Sequence, residues 1–210
     1  MSNYNGSKPS MQTHNHPLRA QGKFPRQSVK SAAGLESRER LRRHYRPQRV
    51  RILFVGEAPP ASGRFFYHAD SGLYRAIRDT FVAAIPSLQS SKDEFLESFR
   101  AMGCYLVDLC GKPVDRMDSR SRRCICKAGE ARLACRLRQL RPKIVITVVL
   151  SIGSNVRRAE ACAMWSGQHM ELPYPGRWYR FRIAFRRKLT RLLRTALTLT
   201  INIRIDGAAQ

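Results

Sequence analysis

Long apolar runs are missing from this sequence. No stretch reaches the ~20 apolar residues that a membrane span needs, and the polar N-terminus has no apolar signal-peptide core. A cytoplasmic location is the expectation. C-x-x-C pairs are missing too. The cysteines are Cys104, Cys110, Cys124, Cys126, Cys135 and Cys162, and the tightest pair, Cys124-Ile125-Cys126, is too close for the usual zinc spacing. They read mostly as buried or free thiols in a reducing compartment, with a metal or iron–sulfur site as the lesser alternative. No cofactor is expected. No internal repeat and no Gly-rich phosphate loop is present, so a nucleotide-binding reading has no motif to stand on. Negative charge is scarce: 15 Asp and Glu stand against 39 Lys and Arg, a formal net charge of +24. That imbalance bears on partners rather than on fold. Nucleic acid is the first candidate, because Lys and Arg neutralise phosphates without regard to sequence. An anionic membrane surface or a solvated basic surface satisfies the same count.

With 210 residues there is room for one domain and a tail. Residues 1–46 read as a disordered basic tail, with a short helix over Leu35–Tyr45 stopped by Pro47. His14 and His16 lie in that tail, more in keeping with solvated histidines than with a metal site. Residues 47–196 carry the folded pattern. Arg51–Val55 reads as a short buried strand ending at Gly56, Glu57 and a Pro-Pro pair. Gly72–Ile85 spaces Leu73, Ile77, Phe81 and Ala84 as one helix face. Ser91 and Glu94 form a capping box for a helix bearing Phe95, Leu96 and Phe99. Tyr105–Leu109 is a second strand, Asp115–Arg123 a basic loop, and Cys124–Leu140 a helix. Lys143–Leu150 is a β-branched run suited to a central parallel strand. Ile152–Met164 reads as a helix, His169–Leu172 as a fourth strand, and Phe181–Ala196 as a basic helix. Residues 197–210 alternate, with Leu197, Leu199, Ile201, Ile203 and Ile205 on one face, and read as an edge strand or an exposed tail. The alternation of strands and helices predicts an α/β fold: a three-layer α/β/α sandwich with a short, mainly parallel four-stranded sheet.

Four loops then fall at the carboxyl ends of strands or beside them: Gly56-Glu57-Ala58-Pro59-Pro60, Arg64-Phe65-Phe66-Tyr67, Asp108-Leu109-Cys110-Gly111-Lys112-Pro113 and Leu172-Pro173-Tyr174-Pro175-Gly176. Their order and spacing resemble the uracil-DNA glycosylase superfamily over about Arg51 to Leu193. The resemblance is nearest to the branch whose first motif is Gly-Glu-Ala-Pro-Gly. It implies that Glu57 is the catalytic acid that aligns water. It implies that Gly56, Ala58, Pro59, Phe66 and Asp108 line the pocket, with Phe66 stacking on an extruded base. It also implies that Pro173, Tyr174, Pro175, Gly176 and Arg177 face the DNA. Each residue also has a structural reading: Glu57 bonding its own turn, Phe65 and Phe66 as core, Asp108 as a loop cap.

Two departures from the family pattern matter. Asp108 stands where the family has asparagine, and an ionised aspartate only accepts hydrogen bonds. Either burial protonates it or the preferred base is not uracil. Leu172 stands where the family has its catalytic histidine and cannot donate to a departing base. His169 replaces it only if the loop is re-registered. Arg177 or Trp178 fills the gap left by a flipped base. The family branch's iron–sulfur cysteines are absent and no metal is expected. The resulting expectation is a monomeric, glycosylase-like protein that binds DNA, not membrane. It hydrolyses the N-glycosidic bond of a flipped uracil or other deaminated base in base excision repair. The alternative is a catalytically weak or inactive DNA-binding module on the same scaffold.

Overall fold

Ile52 to Gly56 are buried without exception, as an apolar run must be when helices cover both faces of its sheet. In the computed structural model, which describes Met1 and residues 26–88, 92–176 and 178–206, this run is β1 (Ile52–Gly56). It pairs with β2 (Cys104–Asp108) on one side and β3 (Ile144–Thr147) on the other, and β3 pairs with β4 (Gln168–Glu171). The order is β2-β1-β3-β4 and every pairing is parallel. The expected sheet was mainly parallel; the observed one is wholly so.

Helix α1 (Arg26–His44) precedes β1, α2 (Gly72–Ala84) and α3 (Lys92–Ala101) connect β1 to β2, α4 (Ser119–Leu140) connects β2 to β3, α5 (Gly153–Ala163) connects β3 to β4, and α6 (Tyr179–Asp206) follows β4. Phe54 of β1 meets Phe81 of α2 and Phe99 of α3, with ring centroids 6.4 and 5.5 Å apart. Helix α6 packs on α2, and α4 packs on α5. The result is the expected α/β/α sandwich.

The topology locates a crevice. The chain leaves β1 for β2 on one side, then crosses to β3 on the other. Connections therefore diverge at the carboxyl end of β1, and in open parallel sheets that divergence opens the ligand crevice. Glu57 is the first residue past this point.

The outer edge of β2 is closed by a side chain. The Tyr67 hydroxyl donates to the Leu106 carbonyl at 3.0 Å and accepts from the Leu106 amide at 2.8 Å. Tyr67 in turn stacks on Tyr45, just past α1, with centroids 5.6 Å apart and planes within 8°.

Several boundaries differ from expectation. Helix α1 begins at Arg26, so residues 26–34 of the expected disordered tail are helical; the sequence has no proline between Pro25 and Pro47 to interrupt it. The rest of that tail after Met1, with His14 and His16, and the Ser91 cap lie outside the described residues. Helix α4 begins at Ser119, inside the expected basic loop. The Asp118 side chain accepts from the Arg120 and Ser121 amides, an N-cap that the arginine-rich sequence around it hides. Finally, the alternating stretch Leu197–Ile205 is not a strand but the last turns of α6. Neither glycine nor proline interrupts the chain from Trp178 to Asp206, so a helix already started keeps propagating.

Candidate active site at the carboxyl end of the sheet

Glu57 enters the crevice already paired. Arg122, in the first turn of α4, grips its carboxylate with both Nε and Nη2, a two-pronged contact suited to guanidinium and carboxylate planes. The Glu57 side chain is 12% exposed and that of Arg122 40%. The bonds to Glu57 hold the Arg122 guanidinium above its ordinary range. Behind the pair, Cys126 Sγ lies 3.7 Å from Glu57 Oε1, and Cys110 Sγ lies 3.6 Å from Cys126 Sγ. Burial pushes the Cys110 thiol up to about 12 and also raises Cys126. The Glu57 carbonyl accepts from the Cys110 amide at 2.7 Å, which ties the β1 and β2 loops together.

Asp108 sits one strand over, in register with Gly56. A Cβ on Gly56 would lie 2.9 Å from Asp108 Oδ1, so the absent side chain gives the carboxylate its room. Arg42 of α1 donates to Asp108 Oδ2 at 2.7 Å, and both side chains are 10% exposed. Burial raises the Asp108 pKa, opposed by Arg42, Arg136 and Arg132. Burial would lower Arg42, but Asp108 and Glu39 more than offset it, and Arg42 stays above its ordinary value. Arg42 also reaches Glu39 and lies over the Phe65 ring, 5.2 Å from its centroid.

Helix α4 supplies further arginines from below. Arg132 donates to the Leu109 carbonyl at 2.6 Å and Arg136 to the Asp108 carbonyl at 3.4 Å. They come this close because Gly129 rests against the Leu109 carbonyl, where any Cβ would collide. Burial and the neighbouring Arg42 and Arg132 charges lower the Arg136 pKa. Arg132 and Arg136 thus cap the end of β2.

The remaining expected site residues divide. Ala58 is half-buried and Pro59 buried beside Glu57. Phe66 is 4% exposed and packs among Tyr67, Tyr74 and Phe99. It belongs to the core, and stacking on a base would require it to leave. Phe65, at 2%, is equally enclosed.

Leu172 is fully buried. His169 is held inside the sheet layer, its Nε2 2.9 Å from Thr147 Oγ1 and its Nδ1 3.0 Å from Glu160 Oε2. With β4 in fixed register against β3, His169 does not move into the Leu172 position. Pro173 and Pro175 are buried, whereas Tyr174 is 42% exposed with its ring folded over Gly176. Burial raises the Tyr174 phenol, with Arg75 opposing. Arg177 lies outside the described residues.

The structure therefore joins Glu57 and Asp108 at one sheet end and surrounds them with Arg122, Arg42, Arg132 and Arg136, of which sequence reasoning assigned none to a carboxylate. Among the described residues no group of three His, Cys, Asp or Glu side chains is placed to hold a metal ion, and no helix is long and apolar enough to cross a membrane. No protein-family model matches the chain, and a comparison with curated proteins matches none of them.

Proposed function

We propose that the protein binds DNA on a uracil-DNA glycosylase-like scaffold and hydrolyses, slowly, the N-glycosidic bond of an extruded deaminated base. The observation that carries this reading is the position of Glu57: a carboxylate at the carboxyl end of β1, where the chain connections diverge. In the reaction, water adds to C1′ of the sugar as the C1′–N bond breaks. Glu57 accepts the water proton and steadies the oxocarbenium character of the sugar, and the base leaves with the bonding pair. Arg122 must first release Glu57. Its side chain is the more exposed of the two, and a DNA phosphate offers it an alternative partner of the same charge. The fully buried Leu172 donates nothing to the departing base, which costs about 10²–10³ in rate.

A second reading, recognition of DNA without cleavage, is favoured by the Arg42–Asp108 pair. An aspartate that is already the acceptor for a buried arginine offers uracil no donor.

One assay separates the two. Oligonucleotides carrying uracil, hypoxanthine, xanthine or a normal base are incubated with the protein, and alkali-labile abasic sites are scored. The hydrolase reading expects sites at one deaminated base, none after Glu57→Gln, and more with Arg122→Met. Binding without cleavage, unaffected by Glu57→Gln, leaves the recognition module. Absence of salt-dependent DNA binding removes both.

A further inference from the structure

Large apolar side chains exposed to solvent concentrate where β4 hands over to α6. Tyr174, Trp178, Tyr179 and Ile183 are 42%, 53%, 74% and 49% exposed. They are not the core stripe of α6, which is Phe185, Leu189, Leu192 and Leu193, all buried. Tyr179 and Ile183 are four residues apart, and Arg186 and Arg187 follow three and four further on, so these side chains share one outward region of the helix. Arg180 and Arg182 flank it, both exposed, and the Arg180 guanidinium lies 5.0 Å from the centroid of the Phe181 ring. From Leu172 to Ile205 the sequence has no acidic residue. This segment thus combines a 74%-exposed tyrosine with cations on the adjoining turns and no acidic residue of its own to repel an anion.

We propose that this face of α6 is a stacking platform for single-stranded nucleic acid. Its unpaired bases lie on Tyr179 and Ile183 and its phosphates on Arg182, Arg186 and Arg187. The proposal deepens the DNA-binding reading and rests on it. Aromatic rings interleaved with cations are what a single strand uses, since every unpaired base has a face to stack while its backbone needs neutralising. A duplex keeps its bases stacked on one another and offers an exposed ring little. An anionic membrane would need an apolar stripe along the helix, but among the α6 residues whose side chains are described, 179–195, the apolar stripe is spent in the core and the exposed apolar side chains lie in the first turns. The platform adjoins the loop that follows β4, so a strand lying on it leads toward the crevice at Glu57.

The test uses the full chain and fluorescence anisotropy with labelled probes: an oligothymidylate, a deoxyribose-phosphate strand of the same length without bases, a duplex, and vesicles of anionic lipid. The oligothymidylate is expected to bind at least about tenfold more tightly than the baseless strand. Tyr179→Ala with Ile183→Ala weakens oligothymidylate binding about five- to 150-fold and leaves the baseless strand unchanged, whereas Tyr179→Phe retains affinity. Arg186→Ala with Arg187→Ala weakens both strands alike and lowers the single-strand salt slope by about 1.4. All these positions are exposed, and circular dichroism verifies that each variant folds. Equal binding of the strands with and without bases overturns the platform, as does an innocuous Tyr179→Ala/Ile183→Ala pair or preferential capture of vesicles. Duplex binding without single-strand preference overturns the platform alone. No salt-dependent binding to any nucleic acid overturns the DNA-binding reading as well.

Discussion

Replacing Arg42 by methionine keeps most of the apolar stem of the side chain and removes its charge. At neutral pH the change leaves Asp108 buried beside Gly56 without its closest cation. Breaking a buried ion pair from one side costs about 3–5 kcal/mol, because the remaining charge is neither solvated nor matched. Loss of the Phe65 contact adds roughly 0.5–2 kcal/mol. The penalty depends on pH, and its sign follows from Asp108. Burial already raises that carboxyl, and without Arg42 only Arg136 and Arg132 oppose the rise. An aspartate with a raised folded pKa binds a proton that the unfolded chain does not. Its contribution is therefore fully present below the unfolded value of about 3.9 and is lost as pH climbs through the folded one. At low pH Asp108 is protonated in both proteins and the ion pair is lost to each, so the variant's deficit is small there and grows toward neutral pH.

Urea unfolding of wild type, Arg42→Met, Asp108→Asn and the double variant, between about pH 4 and pH 7, measures this. The double variant should recover about 2 kcal/mol or more of the single-variant loss, because no charge is left stranded. A deficit below about 1 kcal/mol at neutral pH refutes the reasoning. So does a deficit equal at both ends of the pH range, or strictly additive losses in the double variant.

Two other outcomes follow from the same geometry. Tyr67→Phe removes the hydroxyl that serves both the amide and the carbonyl of Leu106, at a cost of about 1–3 kcal/mol in denaturant unfolding; unchanged hydrogen-exchange protection at the Leu106 amide would count against that role. Iodoacetamide at neutral pH should label the exposed Cys124, Cys135 and Cys162 in the folded protein and spare Cys104, Cys110 and Cys126 until it unfolds, because burial raises all three thiols and takes Cys110 to about 12. Mass spectrometry that found Cys110 alkylated as fast as Cys124 would contradict the packing behind Glu57.

The strands were legible because their signal is local. Ile52–Val55 and Ile144–Thr147 are apolar or β-branched runs closed by turns, and only a doubly covered strand tolerates such a run. Glu57 and Asp108 stood out because each lies at the carboxyl end of a strand, Glu57 just past β1 and Asp108 as the last residue of β2. Their partners did not stand out. Arg122 meets Glu57 across 65 residues of chain and Arg42 meets Asp108 across 66, and among 39 basic residues no local feature marks those two. Phe66 misled in another way. Its position after the first motif suits a stacking ring, but its burial depends on Tyr74 and Phe99, which arrive from α2 and α3. The end of α6 misled because Leu-Thr and Ile-Asn alternation satisfies a strand pattern, while the helix running into it decides the local conformation.

The Tyr67 hydroxyl has a further consequence for how copies of this protein meet. An outermost strand is a template on which another extended chain can add, the first step toward domain exchange or fibril growth. At the centre of β2, Leu106 has given both its outward groups to a phenol that is 2% exposed. An incoming strand must evict that ring, which is clamped from outside by Tyr45. The end of α1 thereby acts as a latch on the flank of the sheet. Chains shortened past Tyr45 should self-associate through β2 before they lose the rest of their fold.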